Sequence, residues 1–459
     1  MTLMKSVLLG SAATLMVVAG AQAADLPTKK GAPAAEYVKV CKIGGVAGFV
    51  LPGSDTCLKI SGYVNAQLEA GNVDRHYYTP YTGLGGTLPV LSARQDSFGY
   101  YTRGEVDITA VSNTAYGPLL SYIGLRGDIG GGFDSNAAGA AGQQPSANGF
   151  IVAGAYVQWA GITAGSHPSF YDYLAGGDTW KDFFSPDHSG GGGVPLLAYT
   201  ATFGGGFAAT ISLEQPENSP DLTSVFDLST AYGTVGTNGW DAPDIVAALD
   251  LTQAWGGAHL AGVAHQNRYY EGTLFSTAAS TDEWGYGVIG GVTFNLPTLG
   301  AGSKIAFQGA YAKGAIQYAG AGSPGWGEGD QGFNTNGNGT LFPVADGIYN
   351  ATTGTFHQSE AWTLATQATW QLTPTFAIQP MLAYADVKYD ATTAALDGIS
   401  KHADAWWVGS VFDWTAAKNL DFALDIVYES SHQDRVYATQ VAPTTADGVN
   451  VRLHVIRTF

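Results

Sequence analysis

Cysteine is nearly absent from this chain, with two residues in 459, so neither a thiolate metal centre nor a disulfide-rich scaffold is open to it. Charge is scarce as well: 13% of residues are Asp, Glu, Lys or Arg, about half the fraction usual in soluble domains. What charge there is has one dominant sign, 38 acids against 20 bases, for a formal net charge of −18. That balance excludes nucleic acid as a partner. After residue 23 no long uninterrupted apolar run remains, because every apolar cluster is broken within a few residues by Asp, Gln, Gly, Thr or Arg, and a transmembrane helix is excluded.

Catalytic signatures are missing too. There is no G-x-S-x-G, H-E-x-x-H or P-loop, and the nine histidines are scattered. The glycine cluster from Gly130 to Gly142 sits in a long loop with no helix after it, which removes a phosphate cradle. Asp187 and His188 are adjacent, and on an extended segment neighbours point apart. The expectation is a protein that is not an enzyme and that holds no cofactor and no metal.

Present instead are 63 glycines and 12% aromatic residues. At the start, Lys5 precedes an apolar run from Val7 to Ala19, and Ala21-Gln22-Ala23 supplies small residues for cleavage. The run is short of the roughly 20 residues a spanning helix needs, so residues 1–23 read as a secretory signal peptide. Its loss removes Lys5 and makes the chain one unit more negative. Export also places Cys41 and Cys57 where a bond closing a loop of about 16 residues is feasible, the alternative being two buried free thiols.

Strands show through period-two alternation. Lys59, Ser61, Tyr63, Asn65 and Gln67 share one face, while Leu58, Ile60, Val64, Ala66 and Leu68 share the other. The split recurs in Tyr101, Arg103, Glu105, Asp107 and Thr109 against Val106, Ile108 and Ala110, and in Asp421, Asp425 and Glu429 against Leu420, Phe422, Leu424, Ile426 and Tyr428. A soluble sandwich also alternates, so connection lengths must decide. Seven tight turns, among them Ala160-Gly161, Trp255 to Gly257 and Thr373-Pro374, alternate with eight long polar loops. That sorting implies about 16 antiparallel strands closed into a transmembrane β-barrel, the only sheet that lipid tolerates, with a water-filled interior. The barrel is expected over residues 57–459, after a periplasmic segment at 24–56.

Further residues carry a family resemblance: Ala24-Asp25-Leu26-Pro27, then Tyr37-Val38-Lys39-Val40-Cys41, then Pro52-Gly53-Ser54-Asp55-Thr56-Cys57-Leu58-Lys59-Ile60-Ser61-Gly62-Tyr63-Val64, and the terminal Phe459. Together these resemble the porins of alphaproteobacteria, the group that includes the rhizobial and Brucella-type major porins. The resemblance implies a homotrimer of 16-stranded barrels in the bacterial outer membrane, each with its third loop folded into the pore. It also implies outer-membrane lipid and lipopolysaccharide as surroundings, and the barrel-assembly machinery as the reader of a C-terminal signal ending in Phe459. A peptidoglycan contact through the N-terminal segment is allowed by it.

The third long loop, from Ser169 to Asp187, mixes aromatics with Asp172, Asp178, Asp182 and Asp187, too apolar for a freely solvated loop and suited to packing on an inner wall. Lys59, Arg103, Arg126 and Arg452 fall on the wet parity of the first, second, third and last strands, which become neighbours when a barrel closes. A basic strip facing acidic loop residues would create a transverse field across the pore. The plainer alternative is that each base pairs with a nearby lumen carboxylate such as Glu105 or Asp107. The expected function is a general diffusion channel for small hydrophilic solutes, mildly cation-preferring. A sugar- or nutrient-selective channel is the alternative, kept open by Tyr63, Tyr101, Tyr122, Tyr171 and Tyr173; a barrel enzyme would need rim His/Asp or Ser/His clusters that are not seen.

Overall fold

Alternating side chains on an extended chain give each strand a wet and a greasy face, and the chain resolves that conflict by closing a cylinder. The computed structural model describes residues 39–71, 98–131, 151–174, 193–216, 241–270, 280–320, 346–350, 355–391, 401–434 and 445–459. Residues 40–459 make one compact unit, distinct from residues 1–39. The elements in order are β1 (Val40–Ile43), β2 (Val46–Val50), β3 (Cys57–Gly71), β4 (Phe98–Thr114), β5 (Gly117–Gly131), β6 (Ile151–Trp159), β7 (Ile162–His167), β8 (Val194–Gly204), β9 (Phe207–Glu214) and β10 (Asp244–Gln253). They continue as β11 (Gly256–Tyr270), β12 (Ser280–Asn295), β13 (Lys304–Lys313), β14 (Gly347–Asn350), β15 (Thr355–Gln358), β16 (Glu360–Thr373), β17 (Phe376–Lys388), β18 (His402–Ala417), β19 (Leu420–Gln433) and β20 (Thr445–Thr458).

Eighteen of these strands belong to one sheet, and β14 with β15 forms a separate two-stranded hairpin. Sixteen of the eighteen run antiparallel in chain order from β3 to β20 and close on themselves, Arg452 opposite Glu69 and Thr458 opposite Tyr63. The other two are an N-terminal hairpin. β1 and β2 pair around Gly44 and Gly45, whose φ of +56° and +85° suit a tight two-residue turn. This hairpin leans on the sheet through Phe49 opposite Leu58 and Val50 opposite Cys57. It falls inside the stretch expected to precede the barrel, where the sequence pattern suggests no strands. A disulfide joins Cys41 to Cys57, Cα to Cα 5.8 Å, tying the hairpin to the first barrel strand.

Strand ends put seven short connections at one end of the cylinder and eight longer ones at the other. Ala160 (φ +51°) and Gly161 (φ +87°) make one of the short turns. Among the described residues no helix is long and apolar enough to cross a membrane.

The outward faces are apolar and exposed, as with Ile60, Val64 and Leu68 on β3, Leu197 and Tyr199 on β8, and Leu382 on β17. Aromatic bands rim this surface. Towards the long-loop end, Tyr286, Tyr311, Trp362, Tyr384, Trp406 and Tyr428 occupy six successive barrel strands, with ring centroids 6.2, 5.1 and 5.0 Å apart in the pairs Tyr286–Tyr311, Trp362–Tyr384 and Trp406–Tyr428. At the short-turn end the pairs are Tyr116–Trp159, Trp255–Phe294 and Trp414–Phe422. Two girdles with an apolar belt between them are what a lipid bilayer selects.

The last strand completes the ring. The Phe459 N–H donates to the Gly62 carbonyl at 3.0 Å, and Gly62 returns the bond at 3.2 Å. A Cβ at Gly62 would stand 2.8 Å from the Phe459 ring, so glycine there makes room for the terminal aromatic. Arg457 shares the outward parity of Leu453 and reaches the Asn419 carbonyl of the neighbouring short turn at 3.1 Å, a snorkelling contact at the membrane edge.

Candidate functional site: the inner wall and the third loop

Two arcs of the inner wall carry the polar groups. The first comprises β20, β3, β4 and β5, hydrogen-bonded side by side. Lys59, Arg103, Arg126 and Arg452 all sit on its inward face, on the parity opposite the exposed Ile60, Val106, Ile123 and Leu453. Register decides their neighbours. Glu105 lies opposite both Tyr63 and Arg126, and it accepts Nε of Arg126 at 2.7 Å and the Tyr63 hydroxyl at 3.0 Å. Asp107 accepts the Tyr122 hydroxyl and interacts electrostatically with Lys59. Arg103 acts on Arg126 and Tyr63 through space. Arg452 is buried opposite Asp425 on β19. The basic strip is therefore interleaved with carboxylates rather than purely basic.

The second arc, β8 to β13, is where the third loop enters. The loop leaves β7 at His167 and its first residues, 168–174, turn inward onto this wall. Ser169 donates from Oγ to Glu214 Oε2 at 2.6 Å, and the Phe170 N–H donates to Oε1 of the same carboxylate at 3.2 Å. His259, itself bonded through Nδ1 to Asp250 at 2.8 Å, places Nε2 3.0 Å from the Tyr171 carbonyl. The Tyr173 hydroxyl meets Thr293 Oγ1 at 2.5 Å, its ring stacks on His259 at 5.5 Å, and the Leu174 N–H donates to Gln308 Oε1 at 2.8 Å. Tyr171 is buried against Tyr318, and burial pushes its phenol well above the ordinary tyrosine range. Gly291 clears the floor for Tyr173: a Cβ there would fall 2.0 Å from the ring.

Of the acids expected at the constriction, Asp172 is placed, half-buried at the root of the loop, with its N–H donating to the Ser169 carbonyl at 3.3 Å. Asp178, Asp182 and Asp187 lie outside the described residues. Sequence reasoning missed the anchors Glu214, His259, Thr293 and Gln308. The available signal was polar side chains on the inward parity of strands otherwise rich in alanine, such as Ala248, Ala261 and Ala310.

Between the two arcs runs a ladder of rings. Tyr122 stacks on Tyr156 at 5.0 Å, Tyr156 meets His167 edge-on at 4.6 Å, and His167 stacks on Phe170 at 5.3 Å. Among the described residues no group of His, Cys, Asp and Glu is arranged to hold a metal ion.

Comparison with known proteins fits this architecture. A porin subfamily matches residues 25–452. Porin Omp2b of Brucella canis is 31% identical over 263 residues, covering 56% of this chain and 64% of that protein. Porin Omp2b of Brucella abortus (strain 2308) is 30% identical over the same length and shares. The match thus spans a little under two thirds of these relatives. The outer membrane channel DcaP of Acinetobacter baumannii superposes with a TM-score of 0.57 at 16% identity, over 90% of this chain and 100% of that one, a likeness of fold. With a family match over nearly its whole length and a closed, girdled cylinder to go with it, this chain belongs to the porin subfamily.

Proposed function

We propose that the protein is a general diffusion channel of the bacterial outer membrane, passing small hydrophilic solutes and ions down their gradients, with a mild preference for cations. The observation that carries this reading is a closed sheet, apolar outside, whose polar inner wall is crossed by the root of one long loop. Cation preference rests on the formal charge of −18 and on inward Glu105, Asp107, Asp421 and Asp425, which match the four bases in number. The acids Asp172, Asp178, Asp182 and Asp187 are proposed to face the bases across the narrowed pore, giving a field that orients dipolar solutes. Cleavage after residue 23, a periplasmic residue 24–56 segment, assembly as a homotrimer, contact with lipopolysaccharide and peptidoglycan, and recognition of Phe459 by the assembly machinery complete the proposal.

The test is a planar bilayer. Purified protein should give stepwise conductance and, in a salt gradient, a reversal potential of the sign expected for cations; an inert bilayer overturns the channel, and a potential of opposite sign overturns the preference. One observation favours a second reading, a solute-selective channel: the ladder Tyr122–Tyr156–His167–Phe170 offers rings to a sugar in transit. Liposome swelling separates the two, since a general channel sieves sugars by size alone while a selective one saturates with its preferred solute.

A further inference from the structure

A second segment folds onto the same wall. After β13 the chain makes a short 3-10 turn, Ile316–Ala319, all of it buried and packed on β12, β13 and β16. It rests on the inward side of β12, where two glycines leave the room: a Cβ at Gly285 would fall 1.9 Å from the Gly314 carbonyl oxygen, and one at Gly287 would fall 2.8 Å from Cβ of Tyr318. Asn267 donates to the Gly314 carbonyl at 2.5 Å. From the far side of the connection Asp346 returns to the same place, accepting the Ile316 N–H at 2.7 Å.

At the centre stands His265, on the inward face of β11. Its Nδ1 lies 2.8 Å from Asp244 and its Nε2 3.5 Å from Asp346, both carboxylates being almost fully buried. A neutral imidazole has one N–H and would turn a lone pair towards one of those anions; two carboxylates on two ring nitrogens call for the imidazolium. Asp244 also accepts the Tyr318 hydroxyl, so the same carboxylate grips the turn directly. Asp244 pairs in register with Glu214, the residue that holds Ser169 and Phe170, and the Tyr318 ring meets Tyr171 edge-on at 4.9 Å. The third loop and the 3-10 turn are thus fastened to adjoining positions of β9 and β10 and touch each other.

We propose that His265 is a positioning residue for the pore: bridging Asp244 and Asp346, it holds the turn at 314–320 on the inner wall against the root of the third loop, so that two inward segments, not one, set the aperture. A buried ion cluster adds little net stability over apolar packing of equal volume, and its use is to enforce one geometry. Here that geometry joins a strand, a turn and the return of a long connection. The inference rests on the channel reading above.

The experiment compares wild type with His265→Gln, His265→Lys and Asp346→Asn in bilayers and in liposome swelling, after heat-modified gel mobility has shown each barrel folded. His265→Gln and Asp346→Asn should raise single-channel conductance by about 1.5-fold or more, and admit larger sugars, by widening the narrowest cross-section. His265→Lys, which keeps a cation between the carboxylates, should stay near wild type. Folded variants that conduct and sieve as wild type overturn the proposal, and so does a lysine variant that behaves like glutamine. Asp346 lies off the barrel strands, so its variant decides the matter if the strand substitutions fail to refold. A wild type that does not conduct at all would instead sink the channel reading.

Discussion

The two polar arcs of the wall are built on different principles. In the arc from β20 to β5, side chains bond to side chains on the adjoining strand: Tyr63 and Arg126 to Glu105, Tyr122 to Asp107. In the arc from β8 to β13, wall side chains bond largely to the main chain of segments that cross the interior: Glu214 to Phe170, His259 to Tyr171, Gln308 to Leu174, Asn267 to Gly314. The first arrangement sets a pattern of charge and leaves shape to the barrel. The second sets shape, since a main-chain hydrogen bond fixes where a segment runs regardless of its side chain. The contrast teaches that selectivity and aperture are carried by different strands and should be separable by mutation.

The largest effect is expected in the shape-setting arc. Gly291→Val would put atoms where the Tyr173 ring lies, 2.0 Å from the nearest ring carbon. The ring must leave, giving up the Thr293 hydroxyl and the His259 stack. Conductance should rise about twofold while the reversal potential in a salt gradient stays put. A shift of reversal potential without a change in conductance would erase the distinction between the arcs.

The charged arc should respond the other way. Glu105→Gln removes the carboxylate shared by Arg126 and Tyr63, in a pair whose side chains are only 19% and 10% exposed. Because some solvent reaches the pair, the cost in stability should be modest, about 1–2 kcal/mol in urea unfolding. The reversal potential should move towards anions, and Arg126→Gln should move it towards cations, each with conductance nearly unchanged. Equal shifts in one direction would refute a role for the sign of charge at this wall.

How much of this was legible beforehand follows from the range of the interactions. Alternation acts between neighbours, so Lys59, Arg103, Arg126 and Arg452 could be put on the inward face of adjacent strands, and Ala160-Gly161 could be read as a turn. Alternation is silent on what crosses the interior. Nothing local links Glu214 to Ser169, 45 residues away, or Gln308 to Leu174, 134 residues away. Gly287 and Gly291 look like weak points in a strand until the rings of Tyr318 and Tyr173 are seen beside them. The N-terminal hairpin was hidden for another reason: β1 and β2 are four and five residues long, too short for a period to show, although Gly44-Gly45 between apolar runs marks its turn.

The smallest effect on transport should come from the hairpin, which sits at the edge of the comparison. Cys57 is inward on β3 and two residues from Lys59, so the Cys41–Cys57 bond ends beside the charged arc. Among the described residues the hairpin pairs in register with the barrel at two positions, Phe49 with Leu58 and Val50 with Cys57. On chain-entropy grounds a cross-link closing a loop of this size is worth about 3 kcal/mol against local opening of the hairpin. Reduction should therefore expose residues 40–50 to proteolysis or hydrogen exchange while conductance and reversal potential hold. The sixteen barrel strands keep their own closure through β20 and β3, which does not pass through the hairpin. If reduction did move the reversal potential, the hairpin would be shown to place Lys59, and the charged arc would depend on a tether outside the barrel as the other arc depends on its inward segments.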